Sequence, residues 1–491
     1  MALHKVIGTE TEYGVIIRNQ PDFNPALASA LIINSYPGTR VRIQWSYEEE
    51  TPGRDARGFG HDSYGASDAD SALVNAVLSN GARLYVDHAH PEYSGPECYD
   101  PLEAALADKA GERVMAMALA RAQSTLPAGQ QIKLYKNNSD GKGNSYGAHE
   151  NYLLSRETPF GRVIRYATSF MVTRQVFTGS GKVGSENGRP AVPYQITQRA
   201  DFFEEEVGLE TTLKRPIVNT RDEPHGDPGK YRRLHVIIGD ANLSEYQTFL
   251  KLGVTALFLA ALEDGALPDP IDLADPVDSC WRVSHDLDLG LPLELDEGGT
   301  ATALEIQMRY LEWLSKYAEN ELDDPVWTRL LTEWERTLTD LEADPAGCAD
   351  RLDWVAKRRL LAGYVQRDGL AWDHSKVKAL ALQYHDIDPA TGLYHRLAAR
   401  GDIVRLFTDG EVAAAVENPP TRTRAYFRGR CVSEFPDSLV AANWDSLVFD
   451  TGEAHLKRVP MMEPLRGDES LVGPLLESAA DAAALIEALG G

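Results

Sequence analysis

The residues with the clearest chemical content are Arg83, Tyr85 and Asp87, in the run Arg83-Leu84-Tyr85-Val86-Asp87, with Pro91-Glu92 just beyond. Polar and apolar residues alternate. A strand here puts Arg83, Tyr85 and Asp87 on one face and Leu84 and Val86 on the other. A cation, a phenol and a carboxylate sharing a face line a cleft better than they build a core. Glu92 adds a second carboxylate, in what reads as a Pro-bounded loop. Glu10 and Glu12 repeat the device. Residues 5–17 have strand composition and period, and the two carboxylates share one face about 7 Å apart. Carboxylates that close repel unless a cation lies between them or one takes a proton; a solvated edge strand is the other reading. Together Glu10, Glu12, Asp87 and Glu92 describe a hard-cation site, whose oxygens suit Mg²⁺ or Mn²⁺ rather than zinc.

Other polar groups could join them. The stretch 136–147 is rich in Gly, Asn and Ser and leads to His149 and Glu150. It could cradle a phosphate through main-chain N–H groups, although it matches neither the Walker nor the dinucleotide pattern. His149 and Glu150 read either as site residues or as a polar strand edge. In residues 232–242 a strand puts Arg233 and His235 on one face and Leu234, Val236 and Ile238 inward; His235 is a ligand or a structural histidine.

The elements that must hold these groups follow from punctuation and period. Expected are a short helix near 25–33, a strand over 41–47, a long aperiodic loop at about 48–70, and a short helix over 70–80 feeding the Asp87 strand. Loops of that length are usually functional or disordered. Asp100-Pro101 opens an amphipathic helix over 101–124, and 131–135 is a strand. Helices are expected at 245–265 and in a series over 302–375, broken near Pro325 and Pro345. After the Asn418-Pro419-Pro420 linker, Arg424, Tyr426 and Arg428 alternate as one strand face before Asn443-Trp444-Asp445, and a last helix covers about 478–489. This predicts a large unit, 1–417, and a small C-terminal one, 418–491.

With 491 residues the chain exceeds one ordinary domain. No apolar run reaches membrane-span length, and the N-terminus carries no signal-peptide pattern. Four scattered cysteines without CxxC spacing point to a reducing cytoplasm. Forty-nine basic against 74 acidic residues give a net charge of −25, which argues against nucleic acid or an anionic membrane as partner. Clustered carboxylates, several arginines and an aromatic for a purine suggest Mg²⁺-ATP held at a sheet surface.

Five strings carry a family resemblance: residues 8–14, 83–93, 146–153, 232–242 and 441–446. They resemble the ligase and deamidase/depupylase family of the prokaryotic ubiquitin-like protein Pup, a relative of glutamine synthetase, over essentially the whole chain. The segment Asp87-His88-Ala89-His90-Pro91, the opening Gly8-Thr9-Glu10 and the loop at 48–70 favour the deamidase side over the ligase. The resemblance implies an α+β fold, a glutamine-synthetase-like curved antiparallel cradle backed by helices with a small C-terminal domain. It implies magnesium ligands at Glu10, Tyr85 and Glu92, with Glu12, His149 and His235 as further candidates. It implies nucleotide contacts at Arg83, the Ser94-Gly95 turn and Trp444, with Arg428 a phosphate candidate by charge and position, and Asp87 as the catalytic aspartate. The implied reaction is C–N hydrolysis at Pup's C-terminal side-chain carbonyl: deamidation of a terminal glutamine, and removal of Pup from pupylated proteins, with ATP bound rather than spent and an indirect link to the bacterial proteasome. Asp87 could be nucleophile or general base. A Pup ligase and a non-catalytic Pup-binding regulator are the alternatives. An acidic modifier would need a basic groove on this acidic chain; Lys133, Lys136, Lys142, Lys214, Arg215, Arg221, Arg232 and Arg233 are either that groove or scattered charge.

Overall fold

A computed structural model of the chain describes residues 2–20, 22–42, 44–45, 53–58 and 75–490. Its centre is a seven-stranded antiparallel sheet. In chain order the elements around it are β1 (Ile7–Glu12), β2 (Gly14–Arg18), α1 (Pro25–Ser35), β3 (Arg40–Arg42), β4 (Gln44–Trp45), β5 (Asn75–Leu78), β6 (Arg83–Asp87), β7 (His90–Ser94), α2 (Pro101–Gln123), β8 (Gln131–Tyr135) and β9 (Ala148–Ser155). Short ribbons β10 (Lys182–Val183) with β11 (Tyr194–Gln195), and parallel β12 (Phe203–Gly208) with β13 (Arg215–Asn219), precede β14 (Tyr231–Val236). The sheet runs β14-β9-β1-β7-β6-β5-β3. This is the expected α+β architecture, an antiparallel sheet backed by helices.

One face of the sheet is apolar. Ile7, Tyr152, Leu154, Leu234 and Val236 bury into a large core with residues 160–173 and with Glu245–Glu263, a helix whose residues are buried nearly all round. Such a helix is hydrophobic on every side because it has no solvent face to keep polar. Leu84, Val86 and Tyr93 pack instead on α1 and α2. The α2 helix starts where Asp100 accepts from the Glu103 N–H, with Pro101 in the first turn. It passes so close to β7 that a Cβ on Gly111 would meet the Tyr93 ring at 2.3 Å.

Several expectations need correction. Residues 75–78 form β5, not a helix: Asn80-Gly81, with Gly81 at φ +81°, turns β5 back into β6. Glu92 lies within β7, not in a loop. A two-residue turn at 88–89 closes the β6–β7 hairpin, so Val86 and Pro91 face each other at a non-hydrogen-bonded position where the missing N–H costs no bond to β6; on the other side, just past the end of β1, the Pro91 carbonyl accepts from the Tyr13 N–H at 3.0 Å. Residues 425–434, expected to contribute a strand face, are helical; Arg424 and Arg428 are related by one helical turn. The expected last helix is present as Ala482–Ala488, but a further helix, Glu469–Ser478, precedes it. Of the loop expected at 48–70, residues 48–52 and 59–70 lie outside the described residues. The segment after Asn418 builds an apolar cluster of its own, into which Val41 and Val77 also pack, and residues 439–442 pair with β4.

Candidate active site

The polar face of the sheet collects the predicted groups in rows. Tyr85, Glu92 and Glu12 are cross-strand neighbours, and so are Arg83, Ser94, Glu10 and His149. His235 sits opposite Asn151 on the outer strand, and Asp87 ends β6 opposite His90. Successive rows are two residues apart along their strands, so they share one face.

Two groups of potential ligands emerge. In the first, Glu10, His149 and His235 bring ligand atoms within 4.8 Å of one another. Glu10 accepts from Asn151 Nδ2 at 3.0 Å and pairs with His149 Nδ1 at 3.2 Å; Arg233 lies 3.5 Å away. Asn151 Oδ1 accepts from Arg233 at 2.7 Å and from His235 Nδ1 at 2.9 Å. His235 therefore donates through Nδ1 and keeps Nε2 for a metal, the usual arrangement for a ligand imidazole. Burial would raise the Glu10 carboxyl, but the His149 hydrogen bond and the charge of Arg233 hold it well below its ordinary range. Burial, with Arg233, keeps His235 neutral well below its usual pKa.

In the second group Glu12, Asp87 and Glu92 converge, again within 4.8 Å. Glu12 accepts from the Gly147 N–H at 2.7 Å and lies 2.9 Å from His90 Nδ1; burial is outweighed by His90, and its carboxyl stays low. Gly147 has no room for a side chain: a Cβ would meet His149 Nε2 at 2.6 Å and Glu12 Oε1 at 2.7 Å. Among the described residues no ion pair reaches Glu92. Burial first, then the charges of Asp87, Glu12 and Glu10, push its carboxyl well above its normal range. Ser94 Oγ donates to it at 3.3 Å and lies 3.4 Å from the Tyr85 hydroxyl. The oxygen-only donor set and its excess negative charge fit a hard divalent cation; the Glu–His–His set is mixed and also fits Mn²⁺. The grouping thus pairs Glu10 with the histidines and Glu92 with Glu12.

A cleft opens on each side of these groups. One is lined by Gly8, Glu10, Ser94, Gly95, Arg233 and Trp444, among others. Gly95 uses its N–H on Thr9 O at 2.8 Å, leaving its carbonyl. Arg83 is buried beside it, with its guanidinium carbon 3.8 Å from the Tyr85 ring centroid and hydrogen bonds to Asn75. Arg428 does not line this cleft. It is buried, ion-paired with Glu97 and stacked 5.0 Å from Trp444, so it supports the wall; Arg424, one turn earlier, does line it. The other cleft is bounded by Asp87, His88, His90, Tyr146, Arg199 and the 211–215 loop.

Sequence reading missed Asn151, Arg199 and the placement of Arg221. Asn151 was legible, two residues beyond His149 on the same strand face. Arg199 had no local signal. Burial first, then the charge of Arg215, brings its pKa down to about 9. Arg221 Nε is buried without a hydrogen-bond partner among the described residues, and its charge reaches His225 and His235. Conversely, Lys133 is buried on Asp386 and Asp388, Lys136 on Asp108 and Glu112, and Arg232 on the Thr158 carbonyl. These three serve internal pairs, not a groove for an acidic partner.

With this geometry in hand, comparison with known proteins gives a consistent picture. The family model described as Pup-ligase protein matches residues 5–448. The chain is 51% identical to a depupylase of Acidothermus cellulolyticus over 100% of both chains. It is 50% identical to a Pup deamidase/depupylase of Mycolicibacterium smegmatis, over 99% of this chain and 100% of that one. A Pup–protein ligase of a Nocardioides species is 40% identical over 82% of this chain and 90% of its own. Among solved structures, the ligase PafA in complex with Pup superposes with a TM-score of 0.81 at 33% identity, covering 96% of this chain and 92% of that one. PafA in complex with ADP superposes at 0.75 and 34%, covering 88% and 98%.

Proposed function

The chain belongs to the Pup-ligase protein family, and we propose that its site hydrolyses the C–N bond at the C-terminal side-chain carbonyl of Pup. A terminal glutamine becomes glutamate, and a Pup attached to a lysine is released. The enzyme is an amidohydrolase and isopeptidase, its partners Pup and pupylated proteins. The observation that carries this reading is the position of Asp87. It lines the second cleft with Glu12, two sheet rows from Glu10, which lines the first with Arg233 and Arg424. The full-length match to depupylases, against a shorter and weaker one to ligases, favours hydrolysis over isopeptide formation.

In our reading the cleft of Gly8, Ser94, Gly95, Arg233 and Trp444 would hold the nucleotide, ATP retained as a bound cofactor. Glu10, His149 and His235, and Glu12 with Glu92, would hold magnesium, with Tyr85 at the edge of the second group. A divalent cation held there would supply Lewis acidity and offset the negative charge of a phosphate. The protein's own groups do the rest. Asp87 attacks the carbonyl to give an anhydride that water then opens, or removes a proton from the attacking water. In either route the departing amine gains a proton and the carbonyl carbon gains one oxygen from water. Arg199, which lines the same cleft as Asp87, would stabilise charge on the carbonyl oxygen. The unit boundary at 417/418, a cytoplasmic setting and an indirect link to the proteasome belong to the same proposal. Supporting facts are the separate C-terminal apolar cluster and four free, buried cysteines. Among the described residues no helix is long and apolar enough to cross a membrane.

The test is to offer Mg²⁺-ATP with glutamine-ended Pup and, separately, glutamate-ended Pup with a lysine-bearing protein. Conversion of the glutamine end, with no conjugation of the other, is the expected result. Conjugation of glutamate-ended Pup without deamidation would make the chain a ligase. Binding without either reaction would make it a regulator.

A further inference from the structure

Asp87 differs from the other carboxylates of the site in what holds it. Glu10 and Glu12 each take hydrogen bonds from a neighbouring strand or loop, and Glu92 is almost fully buried. The Asp87 side chain ends its strand at the cleft mouth with 37% of its surface exposed. Among the described residues, one hydrogen bond reaches its carboxylate: His88 Nδ1 lies 2.8 Å from Oδ2. An ionised carboxylate only accepts, so Nδ1 carries the hydrogen. Without that bond the side chain is free to leave its rotamer and turn its reactive oxygen from the cleft.

The backbone supports the same conclusion. His88 adopts φ +52°, the left-handed region that favours glycine, with asparagine, aspartate and histidine next in tolerance. A two-residue hairpin turn itself demands positive φ at its first position, where glycine is the easy choice; it does not demand an imidazole, so histidine at this strained position beside Asp87 calls for a reason in function. The turn is also anchored from behind. Buried Ser29, on α1, donates from Oγ to the Ala89 carbonyl at 2.8 Å, fixing the platform from which the ring reaches back to Asp87.

We propose that His88 is the positioning residue of the hydrolytic aspartate. It occupies one carboxylate oxygen and sets the orientation in which the other faces the scissile amide. The inference rests on the hydrolase reading above. Orientation errors at a reacting group are expensive: a displacement of about 1 Å costs on the order of 100-fold in rate.

Two variants separate the hydrogen bond from the backbone. His88→Gly fits the positive φ but removes the donor. His88→Asn fits it nearly as well and offers an amide N–H from a short side chain. Deamidation of glutamine-ended Pup would be followed in Mg²⁺-ATP with the full-length protein, recording kcat, KM and melting temperature. We expect His88→Gly to lose about tenfold or more in kcat, with KM and melting temperature unchanged, and His88→Asn to recover most of it. Full kcat in His88→Gly, a change confined to KM, or an asparagine variant as slow as the glycine one would each overturn the proposal. An inactive wild-type protein would instead count against the hydrolase reading.

Discussion

The two ends of the polar sheet face are built from similar residues and reach opposite electrostatic solutions. At one end Glu10 is surrounded by His149, His235, Asn151 and Arg233, its charge already matched, and its carboxyl is held low. At the other, Glu12, Asp87 and Glu92 crowd together and Glu92 is driven high by burial and like charge. The first is a preformed socket whose ligand atoms are oriented by the protein. The second stores repulsion that a cation would relieve. Ligand type alone does not decide what a metal contributes; the neighbours decide how much of the charge problem is left for it.

Removing the orienting partner should break the first end most. In Asn151→Ala, His235 loses the acceptor that fixes its tautomer. Affinity for Mg²⁺-nucleotide should fall about 10- to 100-fold, measured by calorimetry, with little change in melting temperature. A change of less than twofold would mean that the histidine is not a ligand.

The back of the sheet offers a control that leaves both ends chemically intact. Gly111→Ala forces a Cβ onto the Tyr93 ring and should cost roughly 1–3 kcal/mol of stability while activity per folded molecule is retained. Denaturant unfolding gives the first quantity and titrated active sites the second.

The sharpest contrast between the ends has a smaller amplitude. In metal-free protein at neutral pH, Glu10→Gln should lower stability and Glu92→Gln should raise it, each by roughly 1 kcal/mol. The signs follow from the pKa directions. Glu10 sits below its ordinary 4.5, so its ionised form stabilises the fold above that pH, and the contribution is lost as pH falls through the depressed value. Glu92 sits above 4.5. Its penalty is absent below that pH and grows as pH rises toward the raised value, so the advantage of Glu92→Gln should close on acidification. Saturating Mg²⁺ should reverse the order, stabilising the wild type more than Glu92→Gln. Thermal melts across pH with and without magnesium read all of this.

Much of this was legible in the residues, for a physical reason. Alternation along β1, β6 and β14 assigned Glu10, Glu12, Arg83, Tyr85, Asp87, Arg233 and His235 to one face before any register was known. Register was not legible, and register is what pairs Glu10 with His149 and Glu92 with Glu12. Pro91 concealed β7, because a proline reads as a break unless its missing N–H is known to fall at an unbonded position. Arg424 and Arg428 fit a strand face at spacing two and a helix face at spacing four; Glu97, which binds both, lies over 300 residues away in sequence and gave no hint. Partners on other elements, Asp386 and Asp388 for Lys133 and Asp108 and Glu112 of α2 for Lys136, were hidden in the same way, so buried internal pairs looked like a surface groove. Arg199 became a site residue only when the fold brought it there, whereas Asn151, two residues beyond His149 on one strand face, was legible and overlooked.

The central claim is that Asp87 performs the chemistry while the neighbouring groups hold nucleotide and metal. It is tested most directly by Asp87→Asn, with Mg²⁺-ATP affinity and conversion of glutamine-ended Pup measured in the same sample. The account predicts nucleotide binding within a factor of about two of wild type and a loss of about 10³-fold or more in conversion. Conversion that survives the substitution, or nucleotide binding that disappears with it, would contradict the assignment.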